Sequence, residues 1–220
     1  LCHAVPSYYL SPFNEEKAIA LTIDGQGDGY FSKLFYFNGL DDYKLIGESS
    51  ADYLGEGDKF LSIGRLYNYF TKAMGLRPNS DEGKVEALAA FGKADKDLYG
   101  SLMSATHIDK NLLSINFDLR LIESFYDIDW LSKQRERMGD ENFCASIQTY
   151  LEDIIVDYLN LAYEKYPTNN LCISGGVAAN IIMSLAIYEK TNFKNIYIYP
   201  AMADDGLAIG SAILTAISLD

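Results

Sequence analysis

Residues 171–180, Leu-Cys-Ile-Ser-Gly-Gly-Val-Ala-Ala-Asn, constrain the fold of this chain more than any other stretch. The short apolar run reads as a buried strand, Ser174-Gly175-Gly176 as a tight turn, and the small residues after it as a helix that starts at once. Two glycines let the backbone turn sharply and let a ligand approach it closely. Strand, glycine turn and helix N-terminus together also present free N–H groups, the arrangement that cradles an anion. The same order serves as an ordinary strand-to-helix connection, and these residues alone do not separate the two readings.

The neighbouring segments extend the pattern. Helix 178–189, strand 196–199 and helix 205–218 follow strand 171–174, a β-α-β-α tail whose strands are expected to be parallel and buried. At the other end, residues 1–16 read as a short helix or turn with a Ser11-Pro12-Phe13 loop. An apolar strand over 17–23 then ends at Asp24. Gly25-Gln26-Gly27-Asp28-Gly29 is a glycine-rich reversal into a strand over 30–37, and a turn over 38–42 leads to a third strand over 43–49. Apolar residues Ile63, Leu66, Tyr67, Phe70 and Met74 predict a helix over 62–74, stopped by Gly75 and Pro78. A second helix over 82–91 is expected to end with Gly92 as its C-cap. Residues 93–140 read as an irregular insertion of helices and a short hairpin. Residues 142–166 carry a wide apolar stripe and form the longest expected helix, ended by Pro167.

A chain of 220 residues, 49% hydrophobic, can bury a proper core as one large domain or two small ones. Its formal net charge of −13 argues against a broad nucleic-acid surface, because a phosphate backbone needs a basic footprint. It leaves room for a local phosphate site made of backbone amides. Cys2, Cys144 and Cys172 show no metal or redox spacing and read as reduced, incidental thiols of a cytoplasmic protein. No apolar run reaches the ~18–20 residues that span a bilayer, and no signal peptide is recognisable.

Three meander strands, then helices, then strand-helix-strand-helix is the element order of one subdomain of the actin, sugar kinase and Hsp70 architecture. The expected fold class is therefore α/β, with a ribonuclease-H-like mixed five-stranded sheet flanked by helices. Sites in such sheets lie at strand ends. Asp24, Ser174-Gly175-Gly176 and Asp204-Asp205-Gly206 all follow expected strands, so one sheet edge could gather them. Asp24 beside glycine N–H groups suits a cation–phosphate site, or serves only the hairpin turn. Asp204 and Asp205 could cap a helix or reach that site, with Asp204 the better placed. His3 is one of two histidines. A lone His usually has no ligand role, but with two carboxylates it would make a mixed nitrogen–oxygen site for iron, manganese or zinc. His107, in the insertion, reads as a surface or core residue without a ligand role. Lys84 and Glu86 read as a solvated helix face, and Asn180 as a nucleotide contact or a plain polar helix residue.

Taken in order, five segments resemble the O-carbamoyltransferase family of nodulation and antibiotic-tailoring enzymes, and more distantly the tRNA threonylcarbamoyl transferases. They are His3-Ala4 followed by Tyr8-Tyr9-Leu10-Ser11-Pro12-Phe13; Leu21-Thr22-Ile23-Asp24-Gly25-Gln26-Gly27; Lys84 through Gly92; Ile173 through Asn180; and Pro200 through Gly210. The resemblance implies that His3, Asp24 and Asp204 hold a divalent metal, iron first, with zinc or manganese as alternatives. It implies that Gly25, Gly27, Ser174, Gly175, Gly176 and Asn180 hold ATP or carbamoyl-adenylate, with Lys84 and Glu86 nearby. His3 would also help to position or deprotonate an acceptor hydroxyl. Carbamoyl phosphate and a small hydroxylated metabolite are the implied substrates, with neither nucleic acid nor membrane as partner. The chain departs from the family at Glu86, where many relatives have Met, and at Phe91, where many have Tyr. Residues 1–220 are expected to be one actin-like domain. A further metal-binding His, the N-terminal half of the actin-like pair and a YrdC-like domain are expected to lie outside it. An isolated half would expose apolar surface, which suggests a homodimer.

Overall fold

The structure, a computed structural model, describes residues 1–39, 42–54 and 60–219. A five-stranded mixed sheet organises it, in the order β3-β2-β1-β6-β7. Strands β1 (Lys17–Gly27), β2 (Tyr30–Asn38) and β3 (Tyr43–Ser50) form the antiparallel meander. Strand β6 (Asn170–Ser174) then pairs parallel with β1, and β7 (Asn195–Ile198) parallel with β6. Central strand β1 is buried on both faces because its side chains are apolar in both registers. Ile19, Leu21 and Ile23 enter the large core, while the small Ala18 and Ala20 face a second cluster with Val5, Tyr8, Phe35, Phe37 and Cys172. Alanines on that face leave room for helix α1 (Ala4–Tyr9).

On the larger face lie α2 (Ile63–Ala73), α3 (Glu82–Ala89) and the 26-residue α7 (Asp140–Lys165). Ser62 caps α2 by accepting from Arg65 N at 3.0 Å. The apolar stripe of α7, from Phe143 to Ala162, is buried along its whole length. Burying each such Leu, Ile or Phe contributes about 1.5–3 kcal/mol. Between α3 and α7 come α4 (Lys96–Ser104), a hairpin of β4 (Thr106–Asp109) and β5 (Ser114–Phe117), the short α5 (Leu119–Ile122), a single 3-10 turn and α6 (Ile128–Met138). Helix α8 (Ile181–Lys190) connects β6 to β7, and α9 (Leu207–Leu219) follows β7 on the α1 face. No helix among the described residues is long and apolar enough to cross a membrane.

Four expectations need correction. Strand β1 does not stop at Asp24 but runs to Gly27 through a bulge, where Ile23 pairs with Ser32 and the next partners are Gly27 and Tyr30. The reversal is therefore only Asp28-Gly29, both at positive φ (54° and 82°), the geometry of a two-residue hairpin turn. Gly92 is not a left-handed C-cap. Ala90 ends α3, and Gly92 is required because a Cβ there would overlap the Glu141 carbonyl at the start of α7. Finally, α8 does not begin directly after the glycines: a 3-10 turn (Gly176–Ala179) intervenes and Asn180 caps the helix. The turn expected over 38–42 includes Leu40 and Asp41, which lie outside the described residues. Asn38 N bonds Asp42 O at 2.8 Å across it.

Candidate functional site

The C-terminal ends of β1 and β6 meet the start of α1 and the loop before α9, and His3, Asp24 and Asp204 converge there. His3 Nε2 lies 3.5 Å from Asp24 Oδ2 and 3.7 Å from Asp204 Oδ1. One potential ligand atom from each residue lies within 4.8 Å of the other two. The β1 bulge re-aims Asp24 out of the ladder with β2, a common use of bulges next to functional sites. Asp204 opens a short 3-10 turn (Asp204–Gly206) without making a side-chain cap, so its carboxylate faces His3 rather than the backbone.

Ser174, Gly175 and Gly176 each fasten one of the three segments that carry these side chains. Ser174 Oγ donates to the His3 carbonyl at 2.8 Å. Gly175 N donates to Met202 O at 2.7 Å, two residues before Asp204. Gly176 N donates to Asp24 Oδ2 at 2.9 Å. Gly175 adopts φ +95°, and a Cβ there would overlap the Ile23 carbonyl, so only glycine lets β6 lie this close to the end of β1. Two N–H groups expected to be free for an anion are thus already paired within the protein.

The three residues are compatible in chemistry and spacing with a divalent ion. Both His3 separations exceed the ~2.7–3.2 Å of a good hydrogen bond. Metal–ligand bonds of about 2.0–2.2 Å place neighbouring ligand atoms about 3–3.6 Å apart, and the two His3 separations lie at or just above the upper end of that range. One imidazole with two carboxylates is a borderline-hard donor set, suited to iron, manganese or zinc. Side-chain exposure grades from 18% at His3 through 32% at Asp24 to 87% at Asp204, so the site opens to solvent on the Asp204 side. Nδ1 of His3 is buried and without a hydrogen-bond partner.

Beside the three residues is a cavity of about 540 Å³, lined by Thr22, Asp28, Tyr30, Lys33 and Leu207 among others. Thr22 and Lys33 are cross-strand neighbours on β1 and β2. The Lys33 ammonium sits 3.8 Å over the Tyr30 ring and 3.5 Å from Glu48.

Residues 1–213 match the family model described as "Carbamoyltransferase N-terminus". The chain belongs to this carbamoyltransferase family. It is 45% identical to the uncharacterized protein MJ1058 of Methanocaldococcus jannaschii, over all of this chain and 37% of that protein. It is 30% identical to the tRNA N6-adenosine threonylcarbamoyltransferase of Streptococcus pneumoniae D39, over 78% of this chain and 47% of that enzyme. The chain thus spans well under two thirds of the curated relatives it matches. In fold it resembles full-length HypF, with a TM-score of 0.66 at 16% identity, over the whole of this chain and 42% of that one. Similarity to the T. kodakarensis HypF structure is lower, with a TM-score of 0.54.

The other expected site residues of this carbamoyltransferase chain serve contacts within the protein. Gly25 N bonds the Asp24 carboxylate at 2.6 Å, and Gly27 ends β1 at the surface. Lys84 pairs with Asp81 at 3.0 Å. Glu86 accepts from Ile182 N at 2.9 Å and so caps the first turn of α8. Asn180 Oδ1 accepts from Met183 N at 2.8 Å, the N-cap bond of the same helix. The Asn180 side chain is also locked in a reciprocal amide pair with Gln148: Nδ2 donates to Gln148 Oε1 at 2.8 Å, and Gln148 Nε2 donates to Asn180 Oδ1 at 3.0 Å. Tyr67 Oη donates to Gln148 Oε1 at 2.9 Å, and Gln148 Nε2 reaches Glu152 at 3.1 Å. Burial pushes the Tyr67 hydroxyl well above the usual phenol range and raises the Glu152 carboxyl. This buried network links α2, α7 and the N-terminus of α8 behind the glycine turn. Its hub, Gln148, was not expected from the sequence. The available signal was a lone amide inside an otherwise apolar helical stripe.

Proposed function

We propose that this chain forms the metal- and nucleotide-binding core of an enzyme that transfers a carbamoyl group from carbamoyl-adenylate to a hydroxyl of a sugar or other small metabolite. Carbamoyl phosphate and ATP are the proposed source of the adenylate. The observation that carries the reading is the convergence of His3, Asp24 and Asp204, drawn from three distant segments and fastened by one Ser-Gly-Gly turn.

A divalent ion held by these residues would supply a Lewis acid for the carbamoyl carbonyl and the adjoining phosphate oxygen. The protein's own groups do the rest. Asp24 is fixed by two backbone N–H groups, from Gly25 and Gly176, so its carboxylate keeps one orientation as ligands come and go. The cavity beside it is the proposed place for the acceptor, with Lys33 and Thr22 in its floor. The acceptor oxygen forms a bond to the carbamoyl carbon, the carbon–phosphate-oxygen bond breaks, and AMP leaves with the electron pair; the hydroxyl proton passes to solvent. The two proposed roles of His3 compete, because a ligating imidazole is not free to take a proton. With Nε2 facing both carboxylates and Nδ1 buried, the ligand role is the better supported.

A tRNA-modifying activity is the second reading, supported by the streptococcal relative. The net charge of −13 weighs against it. A third is a nucleotide-binding module without catalysis, which would need the glycine turns but not His3. Metal analysis of the purified full-length protein separates these. One equivalent of iron, manganese or zinc is expected in the wild type and loss of most of it in His3→Ala and Asp24→Asn. A metal-free wild type, or variants that keep the metal, would overturn the metal-assisted reading. Release of AMP from ATP and carbamoyl phosphate, dependent on a hydroxylated small molecule rather than on tRNA, separates the first two.

A further inference from the structure

Arg65 stands in the first turn of α2, three residues after the Ser62 cap, where the helix dipole disfavours a cation. No ion pair among the described residues includes it. Its Nε is buried and has no hydrogen-bond partner. A buried guanidinium N–H left unpaired is costly, so an arginine held this way is expected to have an anionic partner that comes from elsewhere.

Its position says where that partner would sit. The guanidinium packs on the β1 bulge that carries Asp24: a Cβ built on Gly25 would lie 3.6 Å from Arg65 Nε and 3.9 Å from its Cδ. The start of α2 is pressed onto the same bulge, since a Cβ on Gly64 would come within 2.9 Å of Asp24 O and Gly25 N. Glycine at 64 therefore brings the neighbouring arginine to the end of β1. The cation stands beside the Asp24-Gly25 end of β1, on the α2 side, whereas the 540 Å³ cavity lies among residues 1–3, β1, β2, Asp204 and α9.

We propose that Arg65 is a phosphate-binding residue, pairing with a nucleotide phosphate that binds near the Asp24-Gly25 end of β1. The inference rests on the nucleotide reading given above. Arginine suits the task because its planar fork matches phosphate oxygens and keeps its charge at all working pH values.

Calorimetric titration of the full-length protein with adenosine, AMP and ATP, in wild type, Arg65→Met and Arg65→Lys, tests it. Arg65→Met is expected to weaken AMP and ATP about tenfold or more while leaving adenosine unchanged. Arg65→Lys is expected to fall between, because charge is kept and the fork is lost. Equal weakening of all three ligands would assign Arg65 a structural role and overturn the proposal, as would unchanged ATP affinity in Arg65→Met. A wild type that binds none of the three overturns the nucleotide reading itself, and Arg65's role with it. Matching thermal unfolding of the three proteins excludes misfolding as the cause.

Discussion

The Ser174 hydroxyl donates to the carbonyl oxygen of His3 at 2.8 Å, joining residues 171 positions apart. Ser174 is fully buried, so its removal would leave a carbonyl with no donor in its place. Ser174→Ala is expected to lower stability by about 1–3 kcal/mol and to reduce metal retention, because the bond sets where α1, and with it the His3 ring, begins. Urea unfolding and metal analysis on the same samples check both. Unchanged metal content with lowered stability would separate the bond from the site.

Gln148 and Asn180 should behave as one unit. Gln148→Leu leaves the Asn180 Nδ2 group and the Tyr67 hydroxyl without their partner, and Asn180→Ala removes the cap on Met183 N and one bond at each end of the Gln148 amide. Each is expected to cost about 2–3 kcal/mol, and the double variant less than the sum, with a coupling of about 1 kcal/mol or more. A double-mutant cycle in urea measures it; strict additivity would contradict the reciprocal pairing.

Asp81 gives the stability a defined acid dependence. The Arg77 guanidinium, then the Arg77 backbone N–H, then the Lys84 ammonium hold its carboxyl well below the usual value of 3.8. A carboxylate with a depressed folded-state pKa contributes stability that is present above its unfolded value and is lost as pH falls through the folded one. Asp81→Asn should therefore be less stable than wild type at neutral pH, with the gap closing as the pH is lowered below about 4. A constant gap from neutral to acid pH, measured by urea unfolding, would contradict this.

Cysteine reactivity should divide by burial. Burial pushes the Cys144 and Cys172 thiols up to about 12, whereas Cys2 is only half-buried in the cavity wall. Thiolates are the reactive form, so iodoacetamide near pH 8 should label Cys2 first and leave the other two until the protein unfolds. Equal labelling of all three in the folded protein, read by mass spectrometry, would count against the packing around β6 and α7.

Periodicity made the strands legible in the sequence, along with α2, α7 and the alternating tail, because each buries a regular face. The meeting of Asp24 with the 174–176 and 204 segments at one sheet edge followed from strand ends and needed no side-chain detail. The local backbone was harder to read. The Ser174-Gly175-Gly176 turn was expected to lead straight into a helix, but Gly175, at φ +95° against the Ile23 carbonyl, is followed first by a 3-10 turn, and Asn180 becomes a cap instead of a helix-interior residue. Asp24-Gly25 looked like a hairpin turn because a bulge within a strand carries no composition signal of its own. Lys84 and Glu86 bond Asp81 and the backbone of α8, partners that the sequence did not suggest. Such pairings depend on which helices become neighbours, and spacing along one helix does not encode that.

The Ser174-Gly175-Gly176 turn also dictates when the site can exist. The bonds from Ser174 and Gly176, and the approach of His3 to Asp204, join the first 24 residues to segments beyond 170. Contacts of such wide sequence separation form late, after the loop-closure entropy of the intervening chain has been overcome. A nascent chain therefore has no site until β6 has docked beside β1 and Asp204 has left the ribosome. An ion or nucleotide bound as proposed would then protect the molecule as a whole: its effect on hydrogen exchange should appear in the slowest amides of the sheet rather than only in the loops around it.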